Sequence, residues 1–102
     1  MASWITLCPF DELKKEGLFV LELPSTSIAV FWTEGEAFAV ENICTHDGGE
    51  LAGGPVEGTT VICPRHGACF NLKTGAALAP PAYEPIRTYP VRIREGQVEI
   101  EL

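Results

Sequence analysis

The sequence predicts an all-β domain of antiparallel strands. Three features carry that expectation: short runs rich in β-branched and aromatic residues, turn-forming residues between those runs, and alternation of apolar and polar residues near the end of the chain. With 102 residues the chain can bury one modest core, so 1–102 is read as a single domain.

In order along the chain, Phe10 to Glu16, closed by Gly17, has plausible helical character but is too short to change the class. Leu18 to Leu23 and Ile28 to Trp32 flank Pro24-Ser25-Thr26-Ser27 and read as paired strands. Glu34-Gly35-Glu36 turns the chain into a further strand at Ala37 to Val40, and Gly58 to Ile62 has the same grammar. Thr88 to Arg94 and Gln97 to Leu102 alternate around Glu95-Gly96, the pattern of a hairpin with one wet face. Trp4, Trp32, Phe19, Phe31 and Phe38 lie in or near these strands and are assigned to packing.

The composition, 46% hydrophobic and 21% charged, is that of a folded globular chain. No apolar run approaches the ~18 residues of a membrane span. The start, Met1-Ala2-Ser3-Trp4-Ile5, lacks a basic segment followed by a long apolar one, so a cytoplasmic location is expected. In that reducing compartment the four cysteines point to metal binding before disulfides. Fourteen acidic residues against seven basic give a net charge of −7, which argues against nucleic acid or an anionic membrane as partner. The charge would attract a basic partner, or simply maintain solubility.

The chemistry concentrates in Cys44-Thr45-His46 and Cys63-Pro64-Arg65-His66, which are separated by 16 residues and contain both histidines of the chain. Structural zinc sites more usually open with Cys-x2-4-Cys, whereas thiolates mixed with imidazoles suit an iron–sulfur centre. Two ferric ions and two sulfides contribute +2, two thiolates −2, and two neutral imidazoles nothing. Such a centre accepts an electron more readily than one held by four thiolates. Both motifs lie in glycine-dense segments, where Gly48, Gly49 and Gly67 either bring N–H groups to the sulfurs or serve turn geometry alone. The stretch Ala79-Pro80-Pro81-Ala82 is either a third loop over the same centre or an ordinary connection. Cys8 reads as a small buried residue, while Cys69 is a candidate ligand only in a zinc alternative with Cys44, Cys63 and one histidine. Arg65 reads equally as a docking residue or a solvated side chain.

The pattern Cys-x-His, 16 residues, Cys-x-x-His-Gly resembles the ligand pattern of Rieske 2Fe-2S proteins. Phe70-Asn71-Leu72-Lys73-Thr74-Gly75 is similar to the segment that follows the second loop in that family, and Pro80-Pro81-Ala82 to its proline loop. The resemblance implies an antiparallel β sandwich with a small cluster-binding subdomain, made of ligand loops at about 43–56 and 63–71 and a proline loop at about 79–85. It further implies one Rieske-type 2Fe-2S cluster, with Cys44 and Cys63 on one iron and His46 and His66 on the other.

Departures from the pattern are informative. High-potential members carry an additional loop cysteine at the positions of Gly49 and Arg65, joined as a disulfide, and a serine and a tyrosine at the positions of Ala68 and Phe70. Without those hydroxyl donors the potential is expected near the low end of the Rieske range, roughly −150 mV.

Both histidines are used by the cluster motif, which leaves none for a mononuclear iron, and there is no Gly-x-Gly-x-x-Gly fingerprint for a nicotinamide cofactor. No catalytic residue is assigned; the chain reads as a one-electron carrier. Small low-potential Rieske proteins of this kind resemble the ferredoxin components of aromatic-ring dioxygenases, which implies a flavoprotein reductase and a terminal oxygenase as partners, with Asp47 and Glu50 steering encounter. The alternatives are a subunit of a larger enzyme, such as an assimilatory nitrite reductase, and a structural zinc module.

Overall fold

The computed structural model describes residues 3–80 and 82–102; Pro81, within the expected proline loop, lies outside them. The chain begins with β1 (Trp4–Pro9), α1 (Phe10–Glu16), β2 (Leu18–Glu22), β3 (Ser27–Thr33) and β4 (Glu36–Glu41). Four short strands follow: β5 (Val56–Glu57), β6 (Thr60–Ile62), β7 (Cys69–Asn71) and β8 (Ala77–Ala79). The last three are β9 (Thr88–Tyr89), β10 (Val91–Arg94) and β11 (Gln97–Glu101). They form three sheets, ordered β1-β11-β10, β2-β3-β4-β9 and β5-β6-β7-β8. Every pairing among the described residues is antiparallel, as the expected all-β class requires.

Strand β3 explains how the layers assemble. Successive side chains point to opposite faces, so Ile28 and Val30 enter one core with Cys8, Leu13, Val98 and Ile100. Ala29 and Phe31 enter a second core with Cys44, Leu51, Val61, Cys63 and Phe70. Both faces of β3 are covered, and its sequence is correspondingly an unbroken apolar run. Strand β4 divides likewise, sending Phe38 and Val40 to the second core and Ala39 to the first.

The two hairpins use the same turn chemistry. Glu34 and Gly35 have φ of 54° and 73°, and Glu95 and Gly96 have 51° and 75°, the positive pair that matches a two-residue I′ turn to the strand twist. Their registers are Thr33↔Glu36 and Arg94↔Gln97. Helix α1 buries Leu13 and ends where the Gly17 N–H donates to the Leu13 carbonyl at 2.7 Å.

Several elements differ from the sequence reading. Thr88 to Arg94 is two strands, because Pro90 has no N–H to give a ladder: β9 pairs with β4 and β10 with β11. The second ligand loop ends at Ala68, since Cys69–Asn71 is strand β7, and Ala79 closes β8. Trp4 is not core packing; it is 36% exposed at the edge, with the Arg92 guanidinium 3.9 Å from its ring centroid.

One topological relation positions the site. Strands β4 and β9 are hydrogen-bonded neighbours, and the Glu41 N–H donates to the Arg87 carbonyl at 2.8 Å. The segment 42–87, with the whole third sheet and both ligand loops, is therefore a single excursion from one sheet edge. No helix among the described residues is long and apolar enough to cross a membrane.

Candidate metal centre

The two cysteine–histidine motifs fold into loops that repeat one backbone pattern. In the first, the Cys44 N–H donates to the Gly49 carbonyl at 2.7 Å and the Cys44 carbonyl accepts from Gly48 N–H at 2.7 Å. In the second, the Cys63 N–H donates to the Ala68 carbonyl at 2.7 Å and the Cys63 carbonyl accepts from Gly67 N–H at 3.1 Å. Each closing glycine has positive φ, 76° at Gly48 and 77° at Gly67, which a side chain adopts only under strain. The equivalence lies in conformation, since the histidine stands two residues after the cysteine in one loop and three in the other.

Burial separates the donors into two poles. Cys44 and Cys63 are 0% and 1% exposed and belong to the second core, whereas His46 and His66 are exposed. The two imidazole rings stand edge to face with centroids 5.0 Å apart. Burial pushes the Cys44 thiol above its ordinary pKa; backbone N–H groups of Asp47 and His46 oppose that shift and the adjacent Cys63 reinforces it. A protonated buried thiol is a poor ligand, so binding a cation there must displace protons.

The Cys44 sulfur, a His46 nitrogen and an Asp47 carboxylate oxygen also lie within 4.8 Å of one another. Asp47 Oδ2 approaches His66 Nδ1 at 3.3 Å. The hydrogen bonds of Arg65 hold the Asp47 carboxyl well below the usual carboxylate range, with the Gly49 N–H adding to the effect. That carboxylate is thus already engaged by a cation of the protein, and its hard oxygens suit a thiolate–imidazole iron site less than sulfur and nitrogen do. Two soft sulfurs at a dry pole and two imidazoles at a wet one fit a mixed-ligand iron–sulfur unit.

The segment expected as a third loop does meet the first. Thr45 Oγ donates to the Glu84 carbonyl at 2.8 Å, and Ala82 and Ile86 are buried in the core that holds both cysteines. Ala68 and Phe70 are fully buried in that same core. Cys8 is buried on β1, while Cys69, half-buried on β7, points its sulfur at the Gly67 carbonyl 3.4 Å away.

Two charged residues have roles other than those expected. Arg65 is neither free for docking nor simply solvated: its Nε donates to Asp47 Oδ2 at 2.7 Å, its Nη2 to Asp47 Oδ1 at 3.1 Å and its Nη1 to the Glu50 carbonyl at 3.0 Å. Asp47 is neutralised by that contact. Glu50 accepts a hydrogen bond from the neutral Asn42 Nδ2 at 3.1 Å, which ties down one oxygen but leaves its exposed negative charge in place. A residue that the sequence reading missed is Asn42, 5% exposed, whose Oδ1 accepts the N–H groups of Leu51 and Ala52, both at 2.9 Å. Its Nδ2 also reaches Ser27 Oγ at 3.1 Å, so the side chain joins the first ligand loop to the central sheet. An asparagine just after a predicted strand reads as an ordinary turn residue, and only burial distinguishes it.

The sequence and the fold have counterparts among known proteins. The profile of the Rieske [2Fe-2S] domain matches residues 3–90. A 3-phenylpropionate/cinnamic acid dioxygenase ferredoxin subunit from Photorhabdus laumondii is 39% identical over 99 residues, spanning 96% of this chain and 93% of that protein. Among solved structures, a ferredoxin of Sphingomonas yanoikuyae B1 superposes with a TM-score of 0.88 at 37% identity, covering 98% of this chain and 99% of that one. A chain in the complex of reduced oxygenase and oxidized ferredoxin of carbazole 1,9a-dioxygenase also gives a TM-score of 0.88, at 26% identity over 95% of this chain and 91% of that one.

Proposed function

This chain belongs to the Rieske [2Fe-2S] domain family, and from that membership we propose that it carries single electrons from a flavoprotein reductase to a terminal aromatic-ring dioxygenase. The cluster supplies a one-electron couple whose potential depends on its ligands and surroundings. In this reading the chain is an electron-transfer component and not itself the oxygenase.

Residues 1–102 are taken as one Rieske domain in which Cys44 and Cys63 hold one iron and His46 and His66 the other. The observation that carries the reading is the polarity of the site: both sulfurs are buried, while the His66 side chain is 55% exposed. The cysteine pole excludes water and fixes the loops to the core, and the imidazole pole presents ring edges to whatever docks. An apolar rim stands on the neighbouring segment, where Leu78 is 51% and Tyr83 82% exposed. A partner covering that rim would desolvate apolar surface on the segment that Thr45 ties to the first ligand loop. Unpaired cysteines throughout the described residues support a reducing compartment, the cytoplasm.

The curated relatives, named as ferredoxin components or ferredoxin subunits of dioxygenase systems, favour an electron carrier of such a system over a subunit of a nitrite reductase or a zinc module. The test is reconstitution. Purified reductase, terminal dioxygenase and this protein should give NADH-driven oxygenation that fails when the protein is left out. If reductase-reduced protein is not reoxidised by any terminal dioxygenase supplied with its aromatic substrate, the proposed role is wrong.

A further inference from the structure

The two ligand loops arise from different strand ends, and one side chain bridges them. The Arg65 guanidinium makes three hydrogen bonds from the second ligand loop to the first, two to the Asp47 carboxylate and one to the Glu50 carbonyl, and His66 Nδ1 lies 3.3 Å from the same carboxylate. The fork-on-carboxylate geometry is the strong, directional form of a charged hydrogen bond. Asp47 is itself fixed, because its Oδ1 accepts the Gly49 N–H at 2.9 Å.

Room for the guanidinium is made by the absence of a side chain. A Cβ built on Gly49 would lie 2.4 Å from Arg65 Cζ and 2.5 Å from Nη2. Gly49 does not have a positive φ, so close approach and not backbone conformation is what calls for glycine there. The Arg65 and Asp47 side chains are 37% and 19% exposed, a pair partly withdrawn from water at the mouth of the site.

We propose that Arg65, seated in the Gly49 socket and locked onto Asp47 and the Glu50 carbonyl, is a non-covalent clamp that holds the second ligand loop against the first and so governs both retention of iron and the potential of the centre. This rests on the ligand assignment proposed above. Arg65 is a positioning residue: it touches the partner loop and acts through it. The charges enter separately from the geometry, since a cation near the site favours the added electron and an anion opposes it.

The test compares Arg65→Gln, Arg65→Lys, Asp47→Asn, the Arg65→Gln/Asp47→Asn double variant and Gly49→Ala, all as holoprotein. Iron release to a ferrous chelator at neutral pH should be about tenfold faster in Arg65→Gln, the loss expected when a bidentate charged contact is removed. Arg65→Lys keeps the charge but not the fork, and should release iron nearly as fast. Gly49→Ala leaves every charge in place but evicts the guanidinium, and should do the same. Midpoint potentials should fall in Arg65→Gln, rise in Asp47→Asn and return toward the parent value in the double variant, a pattern that a purely structural role would not produce.

Release rates and potentials equal to the parent in both Arg65→Gln and Gly49→Ala would overturn the clamp. The ligand reading has a separate readout. If the parent protein lacks the paramagnetic signature of histidine-ligated iron in the reduced state, the ligand assignment fails, whatever the variants do.

Discussion

Asn42 holds Leu51 from across the first ligand loop: its buried Oδ1 accepts the Leu51 N–H at 2.9 Å, and Leu51 in turn fills the core beneath Cys44 and Cys63. Asn42→Ala would strand the Leu51 and Ala52 N–H groups together with the partners of Nδ2. The expected cost is about 3 kcal/mol, from two amide donors left without acceptors in a largely dry site. Urea denaturation should show it, and Asn42→Asp, which keeps the acceptor but sets a carboxylate against Glu50, should recover part of the loss when acid protonates the pair.

Ala68 and Phe70 are fully buried in the same core as both cysteines. The paired substitutions Ala68→Ser and Phe70→Tyr should raise the midpoint potential of the holoprotein, because hydroxyl donors near the sulfurs stabilise the more negative, reduced state. Protein-film voltammetry reads this directly, and an unmoved wave from a double variant of unchanged iron content would refute it.

Leu78 and Tyr83 are exposed apolar residues on the segment whose Glu84 carbonyl accepts from Thr45 of the first ligand loop. Replacing both with serine should slow electron transfer to the terminal oxygenase roughly tenfold, a usual effect of truncating interface anchors, while leaving the potential unchanged. Stopped-flow reoxidation of the reduced protein checks the rate. Equal rates would place the contact elsewhere.

Glu99 accepts a 2.6 Å hydrogen bond from Arg92, and that contact, more than anything else around it, lowers the carboxyl pKa. The sign follows from linkage: the stabilisation is fully present above the glutamate pKa of the unfolded chain and is lost as pH falls through the lower, folded value. Glu99→Gln should therefore reduce the thermal midpoint at neutral pH. The gap from the parent should close in strong acid, and a gap that persists there would assign the loss to packing instead.

What the sequence made legible was whatever is periodic or chemically constrained. β2, β3, β4 and the β10–β11 hairpin announce themselves through apolar runs or alternation bounded by turn residues, and α1 through its closing glycine. β1 went unread, as did the short strands β5, β7 and β8; two or three residues carry no period, and Cys69–Asn71 follows directly on a ligand loop. The ligand candidates stood out because thiols and imidazoles are rare and their spacing is distinctive. Asn42, and the Arg65–Asp47 pair, did not. A buried amide and a solvated one are spelled alike, and charges 18 residues apart become partners only after the loops have folded.

The excursion between β4 and β9 has a consequence for apoprotein. Its two ends are already stitched side by side, so its unravelling need not disturb the core built from β1, β11, α1 and one face of β3. Stripped of iron, the chain should melt in two stages, with amide exchange first rising across 42–87 and the basal sheets outlasting it. The fold would then be a durable platform with a detachable, iron-dependent annex.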